Sequence, residues 1–130
     1  MNLLFDTHIF LWLNQSPEKL PMDVLELCND SANTLFLSHV SPWEIQVKTN
    51  LGKLDLNVPL HKMIETQQHD NDLKLLPIEL THIYALARLE HHHNDPFDRL
   101  LIAQAMVENM PIVTVDSKIK LYAAVKIYGL

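Results

Sequence analysis

The sequence predicts an α/β fold built on a parallel sheet, and three observations point to it. Short apolar runs rich in β-formers alternate with longer stretches of helical periodicity, the pattern of β-α-β units. Two of those runs, NLLF at residues 2–5 and IVTV at 112–115, are almost unbroken, as strands covered on both faces should be. At 130 residues the chain has the size of one domain with one core, so residues 1–130 are expected to form a single domain.

The elements follow in order. Asn2–Phe5 reads as the first strand and Thr7–Asn14 as the helix after it. A helix over Pro21–Asp30 begins at a proline, leads into a second strand over Thr34–His39, and is followed by a helix over Ser41–Asn50. Leu60–His69 is the next helix; DLKLLP then alternates and stops at Pro77, which makes Asp72–Leu76 an edge strand. Helices are expected over Leu80–Glu90 and Pro96–Asn109, then the strand Ile112–Val115, a helix over Ser117–Ala123 and a last strand over Val125–Tyr128.

Two helix starts share one chemistry. SPWE places Ser41 as cap, Pro42 first and Glu44 third; DPFD places Asp95, Pro96 and Asp98 in the same order. A cap oxygen accepts from the free N–H groups of the first turn, where proline loses no hydrogen bond. The third-position acid completes a capping box in SPWE and matches the helix dipole in DPFD. Capping alone accounts for Asp95, whereas for Glu44 and Asp98 a site role stays open.

Composition narrows the functions. Hydrophobic residues are 48% and charged residues 20%, so the chain is globular rather than disordered. A net charge of −6 argues against a protein that holds nucleic acid by a broad basic surface; a polyanionic substrate would need local help, which a divalent cation could give. With two glycines there is no phosphate-cradling loop, and with one cysteine, Cys28, neither an internal disulfide nor a structural Cys metal site. The opening MNLLFDTHIFLWLN holds Asp6 and His8 and no basic leader, so it reads as neither signal peptide nor membrane span, and a cytoplasmic location is expected. Eight histidines include no HExxH, and His91–His93 read as a polar loop because adjacent residues point in different directions.

Four acids remain to be placed. Asp6 follows the first strand directly and Asp116 the fourth; Glu44 lies in the helix after the second strand, and Asp98 opens the helix before the fourth. In an alternating topology all four meet at the C-terminal rim of the sheet, where ligand sites of open α/β sheets form. Gathered carboxylates raise one another's pKa and destabilise the fold unless a cation neutralises them. All-oxygen ligation suits Mg²⁺ or Mn²⁺, and the matching reaction is metal-assisted phosphodiester hydrolysis.

The same residues carry a family likeness. LLFDTHIFLWLN, LSHVSPWEIQVKTNLGKL, HHNDPFDRLLIAQA and IVTVDSKIKLY, in this order and over the whole chain, resemble the PIN-domain ribonucleases, in particular the VapC-type toxins of bacterial toxin–antitoxin pairs. The resemblance implies a three-layer α/β/α sandwich around a sheet of order 3-2-1-4-5. It implies that Asp6, Glu44, Asp98 and Asp116 are the catalytic and metal-binding residues, with Mg²⁺ as cofactor and Mn²⁺ able to substitute. It further implies endoribonuclease activity on cellular RNA such as transfer RNA, a cognate antitoxin as partner, and a homodimer. Many members carry arginine where Asn94 and Val115 stand here, so two contacts to RNA phosphates are missing from the pattern.

Other residues read more blandly. Arg99 could pair with Asp95 on the helix surface or meet a phosphate, and Thr114 and Ser117 flank Asp116 as strand-end residues that could orient a water. Trp12 and Trp43 read as core or partner surface rather than base-stacking platforms, and Lys48 and Lys53 as solvated cations that could attract RNA. Two alternatives stand beside the ribonuclease: a catalytically silent RNA- or protein-binding module of the same fold, which a missing acid would have favoured, and a DNA-directed nuclease, which would usually carry extra basic helices.

Overall fold

Residues 1–129 are described by the computed structural model. Five strands, β1 (Asn2–Phe5), β2 (Thr34–Ser38), β3 (Lys74–Leu76), β4 (Ile112–Val113) and β5 (Ile127–Tyr128), form one parallel sheet of order β3-β2-β1-β4-β5. The helices are α1 (Thr7–Gln15), α2 (Met22–Asn29), α3 (Val40–Asn50), α4 (Leu60–Asn71), α5 (Leu80–Ala85) and α6 (Pro96–Glu108). The sheet lies between two helical layers, a three-layer α/β/α arrangement with the strand order that the resemblance implied.

Strand alternation assigns the layers. Leu3 and Phe5 of β1 point into a cluster with Ile9 and Phe10 of α1, Val24 of α2, Ile45 of α3 and Met63 of α4. Leu4, between them, points the other way, into Leu101, Ile102 and Ala105 of α6. Leu3, Leu4 and Phe5 are fully buried, as expected of the central strand. Each such side chain contributes roughly 1.5–3 kcal/mol by leaving water. β3 lies at the edge, and Pro77 follows it where no ladder partner is lost.

Several boundaries depart from the sequence reading. The helix expected over Leu80–Glu90 is α-helical only to Ala85 and then tightens into a 3-10 turn over Leu86–Arg88. Ser117–Ala123 is not an α-helix; a 3-10 turn covers Ile119–Leu121. Ile119 is buried within it and Tyr122 and Val125 just beyond it, spaced by three along successive turns closed by the Tyr122 and Val125 N–H groups on the carbonyls three residues back. β4 stops at Val113 and β5 begins at Ile127, both shorter than expected. Ser41 is not a cap: the Ser38 hydroxyl accepts the Val40 N–H at 3.0 Å, so α3 starts earlier and Ser41 turns inward.

Candidate metal centre

Every strand is parallel and the rim beyond their C-terminal ends carries the predicted acids. Asp6 is the first residue after β1, and its N–H is held by the Val113 carbonyl of β4 at 2.9 Å. Its carboxylate caps α1 through the His8 N–H at 3.2 Å and accepts from the Thr114 hydroxyl. That hydroxyl also accepts the Asp116 N–H at 3.0 Å, so one threonine sets two acids side by side. Thr114 is fully buried, which makes it a positioning group rather than a strand-end bystander.

Glu44 arrives from the opposite helix. With α3 starting at Val40, Glu44 lies a full turn inside and is only 2% exposed, so it completes no capping box. The Thr7 hydroxyl donates to its Oε1 at 2.8 Å and lies 2.9 Å from the Ser41 hydroxyl, tying α1 to α3. Its Oε2 is paired with Lys48 one turn on. Partial burial works against the Lys48 ammonium, but Glu44 outweighs it and raises the lysine above its ordinary range.

DPFD divides its labour as two acids of different kind. Asp95 is the cap: its Oδ1 accepts from the Phe97 and Asp98 N–H groups at 2.8 and 3.3 Å. Asp98 faces the rim. Its carboxyl is pushed up to about 8, first by burial and then by the charges of Asp6, Asp95, Glu44 and Asp116. Asp6 is likewise raised, by burial above all and by Glu44 in addition, against the Thr114 and His8 hydrogen bonds. Asp116 goes the other way: burial pushes it up, but the Lys118 N–H and the His93 ring hold it below the ordinary range.

His93 is the residue that sequence reasoning missed. It is buried, and its Nε2 lies 3.0 Å from Asp116 and 3.1 Å from Asp98. Ligand atoms of His93, Asp98 and Asp116 lie within 4.8 Å of one another, a spacing that could hold a metal ion. The Asp95 N–H, however, points at Nδ1 from 3.1 Å, which leaves the ring proton on Nε2, between the two carboxylates. In this tautomer His93 donates to the acids and cannot ligate through Nε2. The donors that fit a cation are the carboxylate oxygens, a hard all-oxygen set suited to Mg²⁺ or Mn²⁺. Asp98 and Asp116 are in direct reach of one another through His93; Asp6 is tied to Asp116 through the Thr114 hydroxyl, and Asp6 and Glu44 act on Asp98 by charge. A rim with two carboxyls raised above their ordinary range is short of positive charge, and a divalent ion would supply it.

Arg99 forms no ion pair with Asp95 among the described residues. Its guanidinium donates to the carbonyls of Glu90 and His93 at 3.1 and 3.4 Å, and lies 3.3 Å from the Tyr122 hydroxyl. That hydroxyl accepts the N–H groups of His92 and His93, both at 3.0 Å. The His91–His93 segment is therefore a built support for the His93 ring, not a free polar loop. The only local signal is the pairing of HHH with a cap residue two positions on.

Known proteins place the fold. The solved VapBC2 complex of Rickettsia felis, bound to a DNA fragment from its promoter, matches with TM-score 0.74 and 17% identity over 98% of each chain. VapBC-1 from nontypeable Haemophilus influenzae matches at 0.68 and 13%, over 98% of this chain and 97% of that one. VapBC-5 of Mycobacterium tuberculosis, a member of the VapBC family of toxin–antitoxin systems, matches at 0.59 and 20%, over 99% and 98%. No curated protein matches significantly. Among the described residues no helix is long and apolar enough to cross a membrane. The model of the PIN domain matches residues 3–125, nearly the whole chain, with the acid-bearing strand ends inside it, and the chain belongs to the PIN-domain family.

Proposed function

We propose that the chain is a metal-dependent endoribonuclease acting as the toxin of a toxin–antitoxin pair, with Asp6, Glu44, Asp98 and Asp116 as its catalytic and metal-holding residues. The observation that supports this is the gathering of acids at the rim: Asp98 and Asp116 offer ligand atoms within 4.8 Å of one another and of His93, and the Asp98 carboxyl is raised first by burial and then by charges that include those of Asp6, Glu44 and Asp116. Mg²⁺, or Mn²⁺ in its place, would activate a water and polarise the scissile phosphate when bound there. The protein's part is positional: Thr114 fixes Asp6 against Asp116, Thr7 and Lys48 hold Glu44, and His93 donates to Asp98 and Asp116 from a ring locked by the Asp95 N–H. Membership of the PIN family supports the reaction class, and neighbours solved as VapBC complexes support the toxin role and a cognate antitoxin.

RNA, such as transfer RNA, is the substrate in this reading, and the cytoplasm is where it would be met. A second copy of the chain would cover Leu80, Ile83 and Tyr84, an exposed apolar stripe on one side of α5. Purified protein is expected to cut RNA with Mg²⁺ or Mn²⁺ and to stop with EDTA, and its expression alone to inhibit growth until the neighbour-encoded partner is supplied. Cleavage that survives repurification in EDTA would refute the metal-dependent reading.

A further inference from the structure

Beside the acids, between α1, α3 and the segment after α3, lies a cavity of about 400 Å³. Its floor is apolar, made by Leu11, Trp12, Ile45 and Leu54, with the half-buried Trp12 ring on one side and His8 tilted towards it at 6.4 Å between centroids. Lys19, Lys48 and Lys53 form its rim, three of the ten lysines and arginines in a chain of net charge −6. Thr7 and Glu44 belong to both the cavity wall and the acid cluster, so the cavity adjoins the acids. The larger hollow nearby, about 840 Å³ along Leu54–Ile64, carries Asp55 and no lysine or arginine.

We propose that this cavity seats the nucleotide next to the scissile phosphate of a single-stranded RNA, the base against Trp12 and the flanking phosphates on Lys19 and Lys53. This deepens the ribonuclease reading and rests on it. A polyanion must approach acids that repel it, and a cationic rim directly beside them supplies the local attraction that the net charge lacks. Lys48 is engaged by Glu44, but Lys19 and Lys53 make no ion pair among the described residues and are exposed. Aromatic faces accept any base, so the pocket fits a nucleotide of an RNA strand. It also assigns Trp12 a role that its sequence context did not suggest.

The test separates binding from cleavage. In Trp43→Phe protein, with EDTA present, Trp12 is the remaining indole, and a short single-stranded RNA is expected to quench its emission. Adding Lys19→Ala and Lys53→Ala should weaken that binding about tenfold or more, while the charge-matched pair Lys74→Ala and Lys126→Ala should not. With Mn²⁺, the cavity variant should show a raised KM for RNA and a fall in RNA cleavage relative to hydrolysis of bis(p-nitrophenyl) phosphate, which has no base to seat. Melting curves check that each variant is folded. RNA that binds without quenching Trp12, an unchanged KM, or variants that lose only the antitoxin would overturn the proposal, the last by making the cavity a protein site. A parent that cleaves neither substrate would overturn the ribonuclease reading instead, and the quenching result would still decide the cavity.

Discussion

The first turn of α6 sets Asp98 among acids with too few donors to match them, while two turns further on Gln104 sits in a network in which every contact is reciprocated. There the Ser38 hydroxyl donates to Gln104, whose amide donates to the Pro77 carbonyl at 3.2 Å. His82 accepts the Glu79 N–H at Nδ1 from 3.0 Å, which leaves its Nε2 proton for Glu108 at 2.9 Å. Ser38, His82 and Gln104 are fully buried, as are the polar groups around Asp6, so burial does not distinguish the two regions. Matching does. A satisfied buried network ties α5, α6 and β2 together and holds the fold. A cluster whose carboxyls are pushed out of their ordinary range opposes the fold, which is the signature of a site built for something not in the chain.

The largest effect that would sharpen this contrast is loss of chemistry. Asp6→Asn is expected to lower RNA cleavage by at least about 100-fold, beyond the usual cost of losing a residue that only supports a ligand. The same variant should melt in EDTA no lower than the parent, because it removes charge from a crowded rim. A folded Asn variant with parental cleavage would break the assignment. Next in size, Gln104→Ala leaves Ser38 and Pro77 without their partner and should cost about 1–3 kcal/mol in urea unfolding, with cleavage per folded molecule retained. If activity falls while stability holds, the matched network is part of the site after all.

Asp95→Ala should cost about 0.5–2 kcal/mol through the freed N–H groups of Phe97 and Asp98, again with cleavage largely kept. A further effect concerns pH. Between 3.8 and about 8 the unfolded Asp98 carboxyl is ionised while the folded one keeps its proton, so the folded state binds more protons. Stability of the metal-free protein from this group therefore falls as pH rises through that window. In EDTA, the parent should lose more stability than Asp98→Asn between pH 5.5 and 8. Equal slopes in the two proteins would show that Asp98 is no more than a dipole partner of its helix.

Legibility in the sequence followed the range of the interaction. The unbroken run of β1, the edge at Pro77 and the Asp95 cap rest on neighbours in sequence, and each stands where the residues placed it, while β4 keeps only the first two residues of its run. Asp6 could be placed on the rim because it directly follows β1, whereas Asp116 stands three residues past β4 and is held at the rim by the Thr114 hydroxyl. SPWE misled because its capping pattern was taken up by a hydroxyl three residues earlier, Ser38, and only the packing of α1 on α3 turns Ser41 to Thr7. His93 was hidden for the same reason. Its ring is aimed by the Asp95 N–H and its segment by Tyr122, a partner 29 residues away. Three lysines in one cavity were likewise unreadable, since Lys19 reaches it from the 3-10 turn after α1 and Lys53 from beyond α3.

The hydroxyl junction of Thr7 and Ser41 divides the molecule into parts that can change and parts that cannot. It fixes Glu44 from inside, through buried groups that none of Trp12, Lys19 and Lys53 touches by a side-chain hydrogen bond. Replacing those three would reshape the cavity while the acids stay where the strands and hydroxyls put them. On the proposed ribonuclease reading, exchanging these wall residues would change which strand the cavity seats, each step tolerated by the fold, while the four acids keep their places.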